Sequence, residues 1–142
     1  MHVEQTAPVA ASADAVWATL VDVERWPSWT RSMRKVTRLD DGPLAVGSRV
    51  RIKQPRLVPV VWTVTEVDPG RSFTWRSSTP GQTSVATHAV RPMGAGTSEV
   101  HLTFDQSGAL SPVLGVALGN LTRRYVRMEA EGLARHVAGT TE

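Results

Sequence analysis

The sequence SPVLGVALGNLTRRYVRMEAEGLARHV, from Ser111 to Val137, predicts one long helix around which the rest of the chain must be arranged. It begins with a serine N-cap followed by proline, which is tolerated at the first helical position, and Gly139 marks its expected end. No proline interrupts the run, which at 1.5 Å per residue makes a helix of roughly 40 Å. A helix of this length crosses a whole small domain.

One face of this helix is predicted to be buried and the other exposed. Apolar side chains recur at spacings of three and four, and they are Leu114, Leu118, Leu121, Tyr125 and Met128. Charged side chains lie mostly on the opposite side, and they are Arg123, Arg124, Arg127, Glu131 and Arg135. Gly115 and Gly119 indicate either close backbone approach or loose packing, with tolerated surface glycines as the alternative.

Length and composition are those of one globular domain. The chain has 142 residues, 41% hydrophobic and 20% charged, and we expect a single domain over residues 1–142. No apolar run approaches the ~20 residues that span a bilayer. The first ten residues lack the basic start and apolar core of a signal peptide, which favours a cytoplasmic location. The absence of cysteine excludes disulfides, a thiolate nucleophile and cysteine-ligated metal centres.

Positive charge is concentrated in one segment. Residues 25–56 contain nine basic residues and two acidic ones, a local charge of nine minus two, or +7, in a chain of net charge +3. A solvated face is the usual meaning of such a segment, but it could also contact an anionic membrane surface or an acidic partner. It has no recognition-helix pattern, zinc spacing or ribonucleoprotein motif, so we expect no nucleic-acid partner.

Upstream of the long helix, the hydropathy pattern predicts a strand, a helix and then a series of strands. His2–Val9 is β-prone, and the next segment predicts a helix that continues to about Glu24 and is ended by Pro27. We expect the indoles of Trp26 and Trp29 to plug one end of the core. Beyond them the period changes to two, which predicts strands over 33–39, 48–54, 60–67, 72–77, 83–91 and 98–106.

These elements define an α+β fold. Consecutive antiparallel strands pair as neighbours, so the meander of about six strands forms one sheet. The helices and one sheet face are buried together only if the sheet curls around the final helix. Where a curved sheet and a helix do not interdigitate, a cavity remains, and such a cavity is a natural ligand site.

Short motifs along nearly the whole chain resemble the START-related polyketide cyclase/dehydrase and lipid-transport (SRPBCC) superfamily. They are Ala15-Val16-Trp17, Trp26-Pro27-Ser28-Trp29, Val46-Gly47-Ser48, residues 62–70, Phe73-Thr74-Trp75, Gly96-Thr97, and Tyr125 with Glu129 and Gly132-Leu133. The resemblance implies a helix-grip fold, in which a curved antiparallel sheet wraps a long C-terminal helix around a hydrophobic cavity. It also implies binding or transport of apolar molecules, with cyclisation, dehydration or hydrolysis in some members; fold alone does not decide among these.

Side-chain alternation in the strands and the apolar face of the helix predict which residues contact a ligand. They are Gln54, Trp62, Phe73, Trp75, His88, Phe104, Leu118, Leu121 and Tyr125. Gln54 places an amide in apolar space, where it needs a protein or ligand partner. Tyr125 could orient a ligand carbonyl, although buried tyrosines are more often packed with the hydroxyl satisfied. The side on which Trp62 points depends on the strand register.

His88 is the weak catalytic candidate. Its strand parity aims it inward, where an imidazole can act as an acid or a base, although a hydrogen-bonded structural histidine is more common. His2, His101 and His136 lack the spacing that places two imidazoles on one metal, so we expect no metal. The chain has no nucleophile elbow, phosphate loop or dinucleotide-binding glycine fingerprint, which removes the usual hydrolase, nucleotidase and oxidoreductase functions. We also expect no cofactor.

Three functions of different classes are compatible with the sequence. The favoured one is a binding or carrier module for a small hydrophobic or aromatic, lipid- or polyketide-like molecule. The second is an enzyme, such as a cyclase or dehydratase acting on a polyketide-like substrate. The third is a membrane-peripheral or partner-binding protein whose basic face matters more than its cavity. The sequence names neither the ligand nor the oligomeric state.

Overall fold

The described part of the chain folds into one curved sheet, two α-helices and a short 3₁₀ helix. The computed structural model describes residues 1–140, with side chains described for 1–110, 112 and 118–139, so Leu114 and the surroundings of Gly115 lie outside the described residues. The elements are β1 (His2–Val9), α1 (Ala13–Val21), the 3₁₀ helix (Val23–Ser28), β2 (Lys35–Arg38), β3 (Arg49–Lys53), β4 (Val60–Asp68), β5 (Ser72–Thr79), β6 (Gln82–Gly94), β7 (Thr97–Ser107) and α2 (Ser111–Thr140).

The strands of the described chain form a single open antiparallel sheet in the order β1-β7-β6-β5-β4-β3-β2. Strands β2 to β7 are the predicted meander, and β1 extends the sheet by pairing with β7, from His2 opposite Asp105 to Val9 opposite Ser98. The sheet curves around α2, which packs against β1 and β7. The α+β, helix-grip prediction is therefore confirmed.

The first helix ends earlier than predicted, and proline does not end it. α1 stops at Val21, and a 3₁₀ helix continues the path to Ser28 with Pro27 inside it. Across Pro27, the Trp29 N–H donates to the Trp26 carbonyl at 3.0 Å. Proline fits because this position of a turn needs no N–H donor and favours the fixed φ of its ring.

Trp26 and Trp29 fill one end of the core, as predicted. Trp26 is fully buried, and its Nε1–H donates to the Leu20 carbonyl at 3.1 Å. Helix α2 crosses directly over this end, because a Cβ added at Gly132 would overlap the Trp29 carbonyl oxygen. Only glycine permits so close an approach of two backbones.

The buried face of α2 is offset from the predicted stripe. Tyr125 is buried, whereas Leu121 and Met128 are only half-buried. The other buried positions after residue 120 are Val126, Glu129, Ala130, Gly132, Leu133 and Val137. Small side chains let this face approach its neighbours, so it turns inward in preference to the face with the longest apolar side chains. The helix also continues through Gly139 to Thr140, since Gly139 does not adopt the positive φ that commonly ends a helix.

A titratable cluster lies on the outer face of the sheet where β1 pairs with β7. His2 contacts two carboxylates, with Nδ1 2.5 Å from Asp105 Oδ1 and Nε2 3.3 Å from Glu4 Oε2, and His101 contacts the other oxygen of Glu4. Asp105, followed by Glu4, raises the pKa of His2 above its usual 6.5. His2, followed by His101, lowers the pKa of Glu4 below its usual 4.5.

The opposite edge of the outer face is basic. Lys35 on β2 and Arg49 and Arg51 on β3 are exposed, and Arg51 lies opposite Thr37 on one side and Val61 on the other. The described ion pairs near this edge use other cations, since Arg25 pairs with Asp22 and Arg38 with Asp40. Among the described residues, no helix combines the length and apolar character needed to cross a bilayer.

The contact between Gly132 and the Trp29 carbonyl predicts a large stability effect. Gly132→Ala should lower the free energy of unfolding by about 1–3 kcal/mol, because the methyl group forces two packed backbones apart. Gly139→Ala is the matched control, since nothing lies within 4 Å of its added Cβ, and it should raise stability by up to about 1 kcal/mol through helix propensity. Urea unfolding measures both. Equal stabilities for the two variants would contradict the contact.

The cluster around His2 predicts a pH-dependent stability term. Because the pKa of His2 is raised, its contribution is fully present below pH 6.5 and is lost as the pH rises through the folded-state value. The contribution of Glu4, whose pKa is lowered, is fully present above pH 4.5 and is lost on acidification. The melting temperature of the parent should therefore exceed that of His2→Gln most between pH 4.5 and 6.5. A difference that grows above pH 8 would contradict this account.

Candidate ligand cavity

A cavity of about 310 Å³ lies between the inner face of the sheet and α2. Its wall is formed by side chains from β3 to β7, the loop between β3 and β4, the 3₁₀ helix and α2. This volume is within the usual range for small-molecule sites, about 300–1,000 Å³. The cavity is therefore large enough for a ligand rather than only for water.

The inward side chains of β5, β6 and β7 are in register, and they divide the wall into layers. From the closed end toward the mouth, the layers are Phe73–His88–Leu102, Trp75–Ala86–Phe104 and Ser77–Ser84–Gln106, and in the first of them only His88 lines the cavity. Helix α2 follows the same direction, with Glu129 at the closed end and Thr122 and Leu118 toward the mouth. From the closed end to the mouth, the side chains of the wall are therefore first ionisable, then aromatic, and finally neutral with hydrogen-bonding groups.

Three indoles dominate the middle of the wall. Trp75 lies between the other two, with ring centroids 5.3 Å from Trp26 and 5.9 Å from Trp62. Phe104 meets Trp62 edge-on at 6.2 Å. These tilted and edge-on arrangements are the ones aromatic quadrupoles favour, so the rings support one another in fixed orientations.

A buried ionisable pair stands at the closed end of the cavity. His88 Nε2 lies 3.4 Å from Glu129 Oε1, and their side chains are 5% and 10% exposed. His88 is stacked on Phe73, with centroids 4.4 Å apart and 17° between the ring planes, and its edge faces Trp75. His88 Nδ1 and Glu129 Oε1 have no hydrogen-bond partner among the described residues. Buried polar atoms normally have partners, so this pair is incompletely hydrogen-bonded even though Glu129 Oε1 contacts His88 Nε2.

Seven of the nine predicted ligand contacts lie on the cavity wall, namely Gln54, Trp62, Trp75, His88, Phe104, Leu118 and Tyr125. Trp62, whose direction the sequence left open, pairs with Val50 on the inner face. Phe73 is fully buried behind the His88 ring, so it supports the wall without forming it. Leu121 lies outside the wall because the inward face of α2 is offset from the predicted stripe.

The hydroxyl of Tyr125 has a partner in the protein. It donates to the Pro55 carbonyl at 2.6 Å and so connects α2 to the loop between β3 and β4. The phenolic hydrogen is therefore used by this loop, while the oxygen can still accept a hydrogen bond from a ligand.

Glu129 is the functional candidate that sequence reasoning missed. The sequence indicated it only within a family motif, yet it follows Tyr125 by four residues, a spacing that places both side chains on one helix face. Gln82, near the mouth, was also missed, and its Nε2 is buried without a partner among the described residues. Among the residues that the structure describes, no group of three or more histidine or carboxylate side chains is arranged to hold a metal ion.

A curved antiparallel sheet closed around a long helix, with a lined cavity between them, defines the class of helix-grip proteins. The chain matches the family described as polyketide cyclase / dehydrase and lipid transport over residues 1–138, and it belongs to that family. No protein with a curated description matches it in sequence.

Solved structures share the fold at low sequence identity. The Zhui aromatase/cyclase from Streptomyces sp. R1128 is 21% identical with a TM-score of 0.82, over 100% of this chain and 96% of that one. A START superfamily protein from Mycobacterium smegmatis is 18% identical with a TM-score of 0.80, over 98% of each chain. A protein from Thermus thermophilus is 16% identical with a TM-score of 0.80, over 100% of both chains.

Proposed function

We propose that this protein binds a planar, mainly apolar ligand with an aromatic ring system and a polar group at one end. The observation that carries the proposal is the wall itself, where three indoles lead to a single buried imidazole–carboxylate pair. Flat rings pack well between tilted indoles, and the polar group would lie toward the incompletely hydrogen-bonded His88–Glu129 pair. A plain hydrocarbon would make no polar contact with this pair.

Burial of the ligand supplies enough free energy for useful affinity. A buried ligand surface of about 250 Å² contributes roughly 6 kcal/mol at about 25 cal/mol per Å², before the cost of association. That cost, several kcal/mol, leaves micromolar affinity as the expected range once the polar contacts are included. Membership of a family that includes cyclases and lipid carriers supports the same ligand chemistry.

Trp75 should report binding, because it lies between the other two cavity indoles. Hydroxylated tricyclic aromatic ketones should raise the melting temperature and change the tryptophan fluorescence, and saturated fatty acids should do so less. Trp75→Phe should remove at least half of the fluorescence response. Trp17→Phe is the matched control, since Trp17 packs edge-on against Phe73 and lies outside the cavity wall.

Two outcomes would count against this proposal. If no compound shifts the melting temperature up to its solubility limit, the cavity is not a binding site for this ligand class. If Trp75→Phe keeps the whole response, the ligand binds elsewhere.

A second candidate function, proton transfer on the bound ligand, rests on the His88–Glu129 pair. The imidazole could remove a proton from a carbon next to a ligand carbonyl, and Glu129 would hold the ring and stabilise the imidazolium that forms. The surrounding aromatic rings exclude water, which strengthens the attraction between the two charges. Enolisation of this kind is a step in cyclisation and dehydration, and the structural neighbour described as an aromatase/cyclase supports this candidate.

Deuterium exchange into a bicyclic aromatic ketone, 1-tetralone, tests this chemistry without knowledge of the natural substrate. In deuterated buffer the parent should accelerate exchange at the carbon next to the carbonyl. His88→Asn should slow the catalysed rate about 100-fold or more, and Glu129→Gln should slow it to a smaller extent. Trp17→Phe should retain the parent rate. Exchange no faster than in buffer, or full activity in a folded His88→Asn variant, would exclude the catalytic role.

A further inference from the structure

Two exposed apolar side chains border the mouth of the cavity. Val58, in the loop between β3 and β4, lines the cavity and is 77% exposed. Leu110 is 50% exposed and packs over the β5–β6 turn, where its N–H donates to the Gly81 carbonyl at 2.8 Å. Both side chains remain exposed, although Val58 lines the cavity and Leu110 packs against Gly81, the neighbour of the lining residue Gln82.

Exposed cations lie beside the same loop. The Arg34 N–H donates to the Lys53 carbonyl at 2.8 Å, and Lys35 pairs with Lys53 across the β2–β3 ladder. Both residues therefore sit at the end of β3 from which the loop emerges, and Arg56 belongs to the loop itself. No described acidic side chain forms an ion pair with Arg34, Lys35 or Arg56.

Arg56 is held in an unfavourable backbone conformation. Its φ is +67°, and among the described residues it is the only residue other than glycine with a positive φ. The turn over residues 54–57 is closed by a backbone hydrogen bond, and the loop is held further by Lys53, which donates to two of its carbonyls, and by Tyr125. Glycine would relieve this strain. An arginine here indicates that its exposed side chain has a use.

We propose that the mouth surface, defined as Arg34, Lys35, Arg56, Val58 and Leu110, docks on the anionic surface of a lipid bilayer. Cations attract anionic headgroups, and apolar side chains among them enter the headgroup region. Protection of an exposed sheet edge accounts for Lys35 on β2, but not for a strained arginine and an exposed valine on a loop. An acidic protein would match the cations and leave the separate apolar tips unexplained.

Docking in this orientation turns the cavity mouth toward the lipid. An apolar molecule could then pass between bilayer and cavity without full exposure to water. The docking proposal does not depend on which ligand the cavity binds, and its test needs no ligand.

Vesicle flotation tests the charge component. The parent should bind phosphatidylcholine vesicles containing 30 mol% phosphatidylserine in 50 mM NaCl, bind pure phosphatidylcholine weakly, and lose most binding in 500 mM NaCl because exposed charges are screened. The double variant Arg34→Glu/Arg56→Glu should bind at least about tenfold more weakly. Arg71→Glu is the matched control, since Arg71 is exposed on the β4–β5 turn at the far end of the sheet.

A fluorescent label tests the apolar component, and the absence of native cysteine allows a unique labelling site. Val58→Cys carrying a nitrobenzoxadiazole group should shift to shorter wavelength and brighten on anionic vesicles, whereas the same label at Arg71→Cys should not. The proposal is overturned if the folded parent fails to bind anionic vesicles at low salt, which would favour an acidic protein as the partner. It is also overturned if Arg71→Glu weakens binding as much as the double variant, or if the label at position 58 stays in water while the protein is bound.

Discussion

The structure depends on one close contact between backbones, the approach of Gly132 in α2 to the Trp29 carbonyl. This contact sets how closely α2 packs against the residue that follows the 3₁₀ helix, and it therefore constrains the rotation of α2 about its own axis. The rotation brings Glu129 and Tyr125 over the sheet and leaves Leu121 and Met128 on the flank. The space that remains is the cavity, because the remaining side chains of the inward face do not fill the curve of the sheet.

The His88–Glu129 pair in the cavity wall is not needed for the stability of the folded protein. Removing two charges from water costs several kcal/mol per ion, and a buried pair recovers this only with good geometry and satisfied hydrogen bonds. Here the contact distance is 3.4 Å, and one atom of each side chain lacks a hydrogen-bond partner among the described residues. Apolar residues of similar volume would pack at least as well, so the pair is better explained by the cavity than by the core.

Sequence reasoning succeeded where the determining interactions are local. Alternation along β5 was enough to place Trp75 inward, and turn residues were enough to delimit the strands of the meander. Sequence reasoning failed where contacts between residues distant in the chain determine the structure. The rotation of α2 depends on a contact between residues 29 and 132, so helix periodicity alone did not show that Leu121 and Met128 lie on the flank. The sequence predicted that Pro27 ends a helix, but Pro27 lies inside a 3₁₀ turn. This turn depends on the anchoring of Trp26 in the core, a tertiary contact that local sequence does not show.

The distribution of charge on the outer face also gives the molecule a permanent electric dipole. Acidic side chains and histidines occupy the β1–β7 edge, and cations without described ion pairs occupy the β2–β3 edge. Six strand spacings of about 4.8 Å separate these edges, roughly 29 Å along the sheet. Near a charged surface such a molecule experiences a torque, and salt screens this interaction beyond about 8 Å at physiological ionic strength. Protonation of His2, whose pKa is raised by Asp105 and Glu4, weakens the negative end, so the strength of this alignment should change with pH.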